Sequence, residues 1–252
     1  MTRAELMPTR AAILAGGRGV RLGRRSLTVP KVLQPVQGKP FLEHLLCALR
    51  KQGIGSVVLC GGHLADQLDA WAHLARRRLK LDIVCSVDPG APDQLSGTAG
   101  ALRSALHLLP DPFWVFNGDT FVDVDLAEVW RQFGVSSAAG PQQLMVVFRN
   151  RNRVWPSNVT LRGGIITAYN KLSPTTEMEH IDAGVALLGR HELMSSNDRD
   201  LEPLFTRLAD RGDLAGFEAP ERMHEINTEA GLREAEAFFA AREGFAPPRA
   251  AR

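Results

Sequence analysis

Apolar and polar positions follow two alternating periods along the first half of the chain. Residues 10–15 form a nearly continuous apolar run ended by glycines, which reads as a buried strand. Phe41, Leu42, Leu45, Leu46 and Leu49 recur at helical spacing, and Gly53 is a stop. Residues 56–60 form a second buried run. Leu64, Leu68, Trp71 and Leu74 mark a helix over 63–78, and 81–87 reads as a strand. A helix over 98–109 is closed by Pro110, which cannot continue it. Residues 113–116 form a strand running into Asn117-Gly118-Asp119, and 126–133 a helix with Asp125 as its N-cap. Such strand–helix alternation predicts a parallel sheet with helices on both faces.

The second half changes character. Residues 144–149 read as a strand. Residues 158–162 and 165–169 flank Gly163-Gly164, a good hairpin turn. Residues 181–188 form another strand, and 200–211 and 228–242 read as helices. The last sets Leu232, Ala235, Phe238 and Phe239 on one face. The expected class is α/β: a three-layer α/β/α, Rossmann-like fold with a mostly parallel central sheet and an added β-hairpin region. No repeat or Gly/Ser-rich linker divides the chain. A single domain over residues 1–244 is expected, followed by a frayed tail over 245–252 with Pro247-Pro248.

Composition narrows the function classes. Of 252 residues, 44% are hydrophobic and 23% charged, as in an ordinary globular protein. Three cysteines without C-x-x-C spacing argue against a disulfide framework or zinc knuckle and for a cytoplasmic setting. No apolar run approaches a membrane span. A net charge of +2 is too mild to point to nucleic acid. The charge is unevenly placed, however. Between Leu6 and Leu42 there is no acid, but there are Arg10, Arg18, Arg21, Arg24, Arg25, Lys31 and Lys39. A local cationic zone on a near-neutral protein points to a small polyanion.

Inside that zone lies Leu14-Ala15-Gly16-Gly17-Arg18-Gly19-Val20-Arg21-Leu22, directly after a buried strand. Glycines there let backbone N–H groups approach an anion. The dinucleotide fingerprint fails, since Leu22 stands at its third glycine and no acid follows before Glu43. Walker A fails too, because Gly38-Lys39 is followed by Pro40. Lys31 follows Pro30, and the nearby prolines fix the backbone that aims its ammonium.

The N-terminal loop, with Pro30-Lys31-Val32-Leu33-Gln34-Pro35-Val36, resembles the signature of the sugar-1-phosphate nucleotidylyltransferases (NDP-sugar pyrophosphorylases). The resemblance continues at Ser96-Gly97-Thr98-Ala99-Gly100, Asn117-Gly118-Asp119 and Glu225-Ile226-Asn227-Thr228. The middle segment, with Ser157-Asn158-Val159, Tyr169-Asn170-Lys171 and Ile181-Asp182-Ala183-Gly184, is similar to the heptose 1-phosphate guanylyltransferase branch.

The resemblance implies attack by a sugar 1-phosphate oxygen on the α-phosphorus of a nucleoside triphosphate, GTP favoured, with release of pyrophosphate. The nucleophile is already anionic near neutrality, so positioning and charge neutralisation suffice. Arg21 is implied at the β- and γ-phosphates and Lys31 at the α-phosphate. Leu14, Ala15, Gly16, Gly17, Gly19, Gly97, Thr98 and Asn117 would hold the nucleotide. Asp119 and Glu225 would hold Mg2+. Asn158, Lys171 and Asp182 would hold the sugar phosphate. The oligomeric state, a homo-oligomer included, is open.

Some positions depart from the family pattern. Asn227 replaces a usual glycine, Asn170 an acid, and Ala183 a tyrosine of the heptose branch. Two alternatives stand beside the main reading. Asp123-Val124-Asp125 imitates the D-x-D motif of glycosyltransferases, and Asn227 fits a nucleotide-binding paralogue without turnover.

Overall fold

The computed structural model describes residues 6–243 except 89, 91–93, 139 and 152–154. The expected tail over 245–252 lies outside the described residues. Nine strands form one mixed sheet: β1 (Arg10–Leu14), β2 (Ser56–Gly61), β3 (Asp82–Val87), β4 (Phe113–Asn117), β5 (Gln143–Arg149), β6 (Val159–Arg162), β7 (Ile165–Tyr169), β8 (His180–Leu188) and β9 (Leu214–Ala219). Their order is β3-β2-β1-β4-β8-β5-β9-β7-β6. The main helices are α1 (Phe41–Lys51), α2 (Ala65–Leu79), α3 (Gly97–Ala105), α4 (Leu126–Ser137), α5 (Leu201–Asp210) and α6 (Glu229–Glu243).

The first four strands are parallel, as the strand–helix alternation predicts. They read as continuous apolar runs because both faces are covered. Ala11 and Ile13 point into a cluster with α1, α2, α4 and α6, while Ala12 points into a second cluster with α3 and α5.

The sheet is not mostly parallel. Beyond β4, strand β8 runs antiparallel to both β4 and β5. The expected hairpin, β6–β7, is not an appendage. β7 pairs with β9, and β6 returns to pair with β8 through Val159 and His180. Strands β8, β5, β9, β7 and β6 thus close into a ring, which leaves no free edge on that side. β9 was not anticipated. It runs parallel to β5 and carries Gly216, where a Cβ would collide with Leu161 of the hairpin. Glycine there lets the hairpin side chains cover the strand.

Helix α2 buries only part of the expected face: Leu68 is in the core and Trp71 packs partly against it. Leu68, Ala72, Ala75 and Leu79 are buried, whereas Leu74 is 75% exposed and Leu64 precedes the helix with a positive φ. Alanines allow close approach of helix to sheet, and a reading weighted toward bulky residues overlooks them. Helix α3 ends at Ala105, and one tighter turn over Leu106–Leu108 completes the segment. Asp125 is the N-cap of α4: its carboxylate accepts from the N–H of Ala127 (2.9 Å) and of Glu128 (3.4 Å).

Candidate active site

The site lies beyond the carboxyl ends of β1 and β4, where open α/β sheets bind ligands. Leu14 and Asn117 end these strands in register. Ala15 is buried and donates its N–H to Cys60 O (2.9 Å), prolonging the sheet by one residue. Gly16 then passes tightly beside Gly62: His63 N donates to Gly16 O (3.0 Å), and a Cβ on Gly16 would stand 2.9 Å from Gly62 N. Gly17 is exposed with open space beside it. Gly19 has φ +61°, and a Cβ there would lie 2.9 Å from Ser26 Cβ and 3.2 Å from Lys31 Cβ. Ser26 Oγ sits 2.8 Å from Gly19 O and 3.0 Å from Gly23 O. These contacts fold the glycine segment back onto Lys31.

A cavity of about 340 Å³ opens between this loop and α3. Leu14, Gly16, Gly17, Gly97, Thr98, Asn117 and Asp119 line it, with Cys60, Gly62, Asp88 and Asp200. Its far wall is held by a reciprocal cap. Asp200 Oδ1 accepts from Thr98 N (3.0 Å), and Leu201 N donates to Thr98 Oγ1 (2.9 Å), so each helix start caps the other. Arg199 O takes the N–H groups of Ala99 (3.0 Å) and Gly100 (3.2 Å). These first-turn donors of α3 are therefore engaged, and Gly97 and Thr98 form a wall instead of an open anion site. Asp88 accepts from Gly90 N (2.9 Å) and from the N–H (2.6 Å) and hydroxyl (2.8 Å) of Ser96. Burial alone would raise its carboxyl, but these bonds outweigh it and hold the group below the usual carboxylate range.

Lys31 begins a single tight turn (Lys31–Leu33) after Pro30, and its ammonium reaches Asp119, which lines the cavity. The ammonium bonds Asp119 Oδ2 and Asn227 Oδ1. Asp119 Oδ1 accepts from Thr120 Oγ1 (3.0 Å). Glu225 arrives on a short strand, His224–Glu225, paired antiparallel with Thr120–Phe121, and Ile226 N donates to Asp119 O (3.0 Å). This backbone pairing brings together two acids that are far apart in sequence. Burial pushes the Glu225 carboxyl above its ordinary range, and the neighbouring Asp119 adds to the rise. Asn227 Nδ2 donates to Glu225 Oε2 (2.6 Å). Two carboxylates at one rim match the donor set of Mg2+, which takes one or two beside phosphates and water. No group of three or more His, Cys, Asp or Glu side chains fit to hold a metal exists among the described residues.

Across the rim, a β-bulge in β8 between Asp182 and Val185, with Gly184 at φ +75°, turns Asp182 inward. Asp182 accepts from Lys171 Nζ (2.9 Å), Tyr169 OH (3.1 Å) and Gly184 N (2.8 Å), and its own N–H donates to Asn158 Oδ1 (2.9 Å). Burial works against the carboxylate, but the Lys171 ammonium and these bonds win and hold it low; Lys171 is held high in turn. The Lys171 charge is felt at Glu225, so the two clusters share one field.

The structure thus gathers Lys31, Asp119 and Glu225, and separately Asn158, Lys171 and Asp182. Arg21 does not join either cluster; it is exposed and without an ion pair among the described residues. Its neighbour Arg25 pairs with Glu229 (2.7 Å) at the start of α6. Asn117 packs its amide against Gly184, where a Cβ would stand 2.9 Å from Nδ2. The D-x-D pair lies elsewhere, in a cleft of about 1090 Å³ between α1 and α6. There Asp125 caps α4, and Asp123 accepts from Arg242 (2.6 Å). Sequence reasoning missed Asp88, Asp200 and Asn227 as site residues. Asn227 stood out as a departure from the family pattern.

The pattern of the MobA-like NTP transferase domain matches residues 11–219. A D-glycero-alpha-D-manno-heptose 1-phosphate guanylyltransferase of Campylobacter jejuni is 33% identical over 119 residues, 47% of this chain and 51% of that protein. A mannose-1-phosphate guanylyltransferase catalytic subunit beta of Xenopus tropicalis is 37% identical over 125 residues, 48% of this chain and 34% of that protein. The matches thus span about half, or a third, of these relatives' lengths. In fold, the chain resembles HddC of Yersinia pseudotuberculosis, solved with GMP-PN (TM-score 0.75, 19% identity, 92% of this chain and 100% of that one). With a family pattern covering most of its length, the chain belongs to the MobA-like NTP transferase family.

Proposed function

We propose that this chain is a sugar-1-phosphate nucleotidylyltransferase that joins a nucleoside triphosphate to a sugar 1-phosphate and releases pyrophosphate. The observation that carries the reading is the convergence of Lys31, Asp119 and Glu225 at the rim of a glycine-walled cavity. The cavity suits a nucleoside lying along Leu14 and Gly16 against the wall of Gly97 and Thr98. The α-phosphate then falls at Lys31, whose compact charge offsets the negative charge that builds there. Arg21, exposed on the loop, is placed to fork onto the β- and γ-phosphates. Asn158, Lys171 and Asp182 lie where the sugar phosphate would enter.

The acceptor's phosphate oxygen forms the new bond to the α-phosphorus while the bond to the β-phosphate oxygen breaks. Pyrophosphate carries away the charge, and no proton has to move. Asp119 and Glu225 are the residues to hold Mg2+, which would supply charge neutralisation at the phosphates. GTP and heptose 1-phosphate are the favoured pair, supported by the Campylobacter relative and the likeness to HddC. A cytoplasmic setting accords with three free cysteines, and no helix among the described residues is long and apolar enough to cross a membrane.

The deciding experiment screens four or five nucleoside triphosphates against a panel of sugar 1-phosphates with Mg2+ and measures pyrophosphate. GTP with a heptose 1-phosphate should give the highest rate. Sugar transfer from an NDP-sugar without pyrophosphate would sink the proposal in favour of a glycosyltransferase. Nucleotide binding without turnover for any pair would leave a binding protein.

A further inference from the structure

Asn227 has both ends of its amide engaged at the centre of the site. Its Oδ1 accepts from the Lys31 ammonium, and its Nδ2 donates to Glu225 Oε2 at 2.6 Å. Lys31 in turn bonds Asp119 Oδ2. The four side chains form an unbroken line from Asp119 through Lys31 and Asn227 to Glu225.

The chemistry of this link is specific. An ammonium only donates and a carboxylate only accepts, so a neutral group spanning both must accept at one end and donate at the other. An amide does this with two distinct atoms. Its orientation is fixed by its neighbours: the reverse flip would set NH2 against an ammonium and C=O against a carboxylate. Glycine offers no link, and aspartate offers no donor to Glu225.

The backbone around Asn227 is also held from both sides. Ile226 N is tied to Asp119 O (3.0 Å), and Thr228 Oγ1 accepts from Gly231 N (3.0 Å) as the last helix begins. The amide is therefore presented by a fixed segment.

We propose that Asn227 is a positioning residue, which aims the Glu225 carboxylate beside Asp119 and keeps the Lys31 ammonium in register with both. This rests on the nucleotidylyl-transfer reading of the site. It follows that Asn227 contributes to divalent-cation affinity and to turnover without touching substrate.

The test uses the full chain with Asn227→Ala and, in case that variant folds poorly, Asn227→Gly. Binding of Mn2+ is measured by electron spin resonance with a non-hydrolysable triphosphate analogue present. Thermal melting and metal-free nucleotide binding are measured alongside. Removal of a group that orients a metal ligand typically weakens affinity or activity about 10–100-fold. Both variants should weaken Mn2+ binding by at least about tenfold and lower kcat by a similar factor. KM for the sugar phosphate and metal-free nucleotide affinity should stay within about twofold, a split that a general loss of structure would not give. Wild-type Mn2+ affinity and kcat in a folded variant would overturn the proposal alone. A wild-type chain that binds no Mn2+ with the analogue would overturn it together with the reading it rests on.

Discussion

Gly231 of α6 lies so close to the main-chain carbonyl of Glu225 that a Cβ on it would overlap the oxygen. The helix therefore carries a glycine in its first turn for a reason of approach. In an exposed helix, replacing glycine by alanine usually stabilises by roughly 1 kcal/mol. Here the added methyl has to push back the segment that carries Glu225, and overpacking of this kind typically costs about 1–3 kcal/mol. Gly231→Ala should thus lower the melting temperature despite its better helix propensity. It should also lower turnover at least about tenfold, because the displaced residue sits opposite Asp119. Thermal melts and pyrophosphate release measured on the same preparation check both effects.

Lys31 and Arg21 predict different kinetic losses. Lys31 is already fixed between Asp119 and Asn227, with its side chain 11% exposed. A preorganised charge at the reacting centre is worth roughly 10²–10³ in turnover, so Lys31→Ala should lose about that in kcat. Arg21 is exposed and has no ion-pair partner among the described residues. Arg21→Ala should therefore also raise KM for the triphosphate, since ordering the side chain depends on the ligand itself. Asp119→Asn should abolish activity together with its metal dependence. A Lys31→Ala enzyme with near-normal turnover would count against its assignment to the α-phosphate.

How much of this was readable in advance depends on sequence distance. The strand of residues 10–15, the helix around 41–49 and the helix expected over 126–133, which runs on to Ser137, were legible because each buries a strong periodic face on its own. Asp125 was legible as a cap because its partners lie two and three residues away. β9 was not, because Leu214-Ala215-Gly216 looks weak until β5 and the hairpin close around it. Asp200 could not be found either: its link to Thr98 spans 102 residues and leaves no local pattern. Asp119 and Glu225 came from family resemblance. The reason they meet, a short antiparallel pairing, lies in the fold alone.

The two acids of the D-x-D motif predict an effect on stability and none on chemistry. Asp125 makes both of its bonds to the first turn of α4, and Asp123 pairs with Arg242, each side chain nearly half exposed. Asp125→Ala should destabilise by about 1 kcal/mol, as loss of a helix cap does. Asp123→Asn should change stability by less than about 1 kcal/mol, in keeping with an exposed pair. Neither should alter kcat or its dependence on metal. A loss of metal-dependent activity in Asp123→Asn, without a change in melting temperature, would restore the glycosyltransferase reading.

Asp182 sets a pH dependence whose sign follows from its surroundings. Its carboxyl is held below its ordinary value of 3.8, because Lys171 and the bonds from Gly184 and Tyr169 outweigh the effect of burial. A carboxylate with a depressed value in the folded state stabilises the protein above its unfolded value. That stability is lost as the pH falls through the lower, folded value. The contribution should therefore be complete at pH 7 and fade only below about pH 4. Asp182→Asn keeps one acceptor but leaves Lys171 without its counter-charge. Because Lys171 is 41% exposed, water makes up part of the loss, and the expected penalty at pH 7 is about 1–3 kcal/mol. Melting curves from pH 7 down to pH 3 should show the gap between wild type and variant narrowing at the acid end. A gap that stayed constant over that range would mean the Asp182–Lys171 pair does not hold its charge in the folded protein. The role of Lys171 toward a sugar phosphate would then need a different partner.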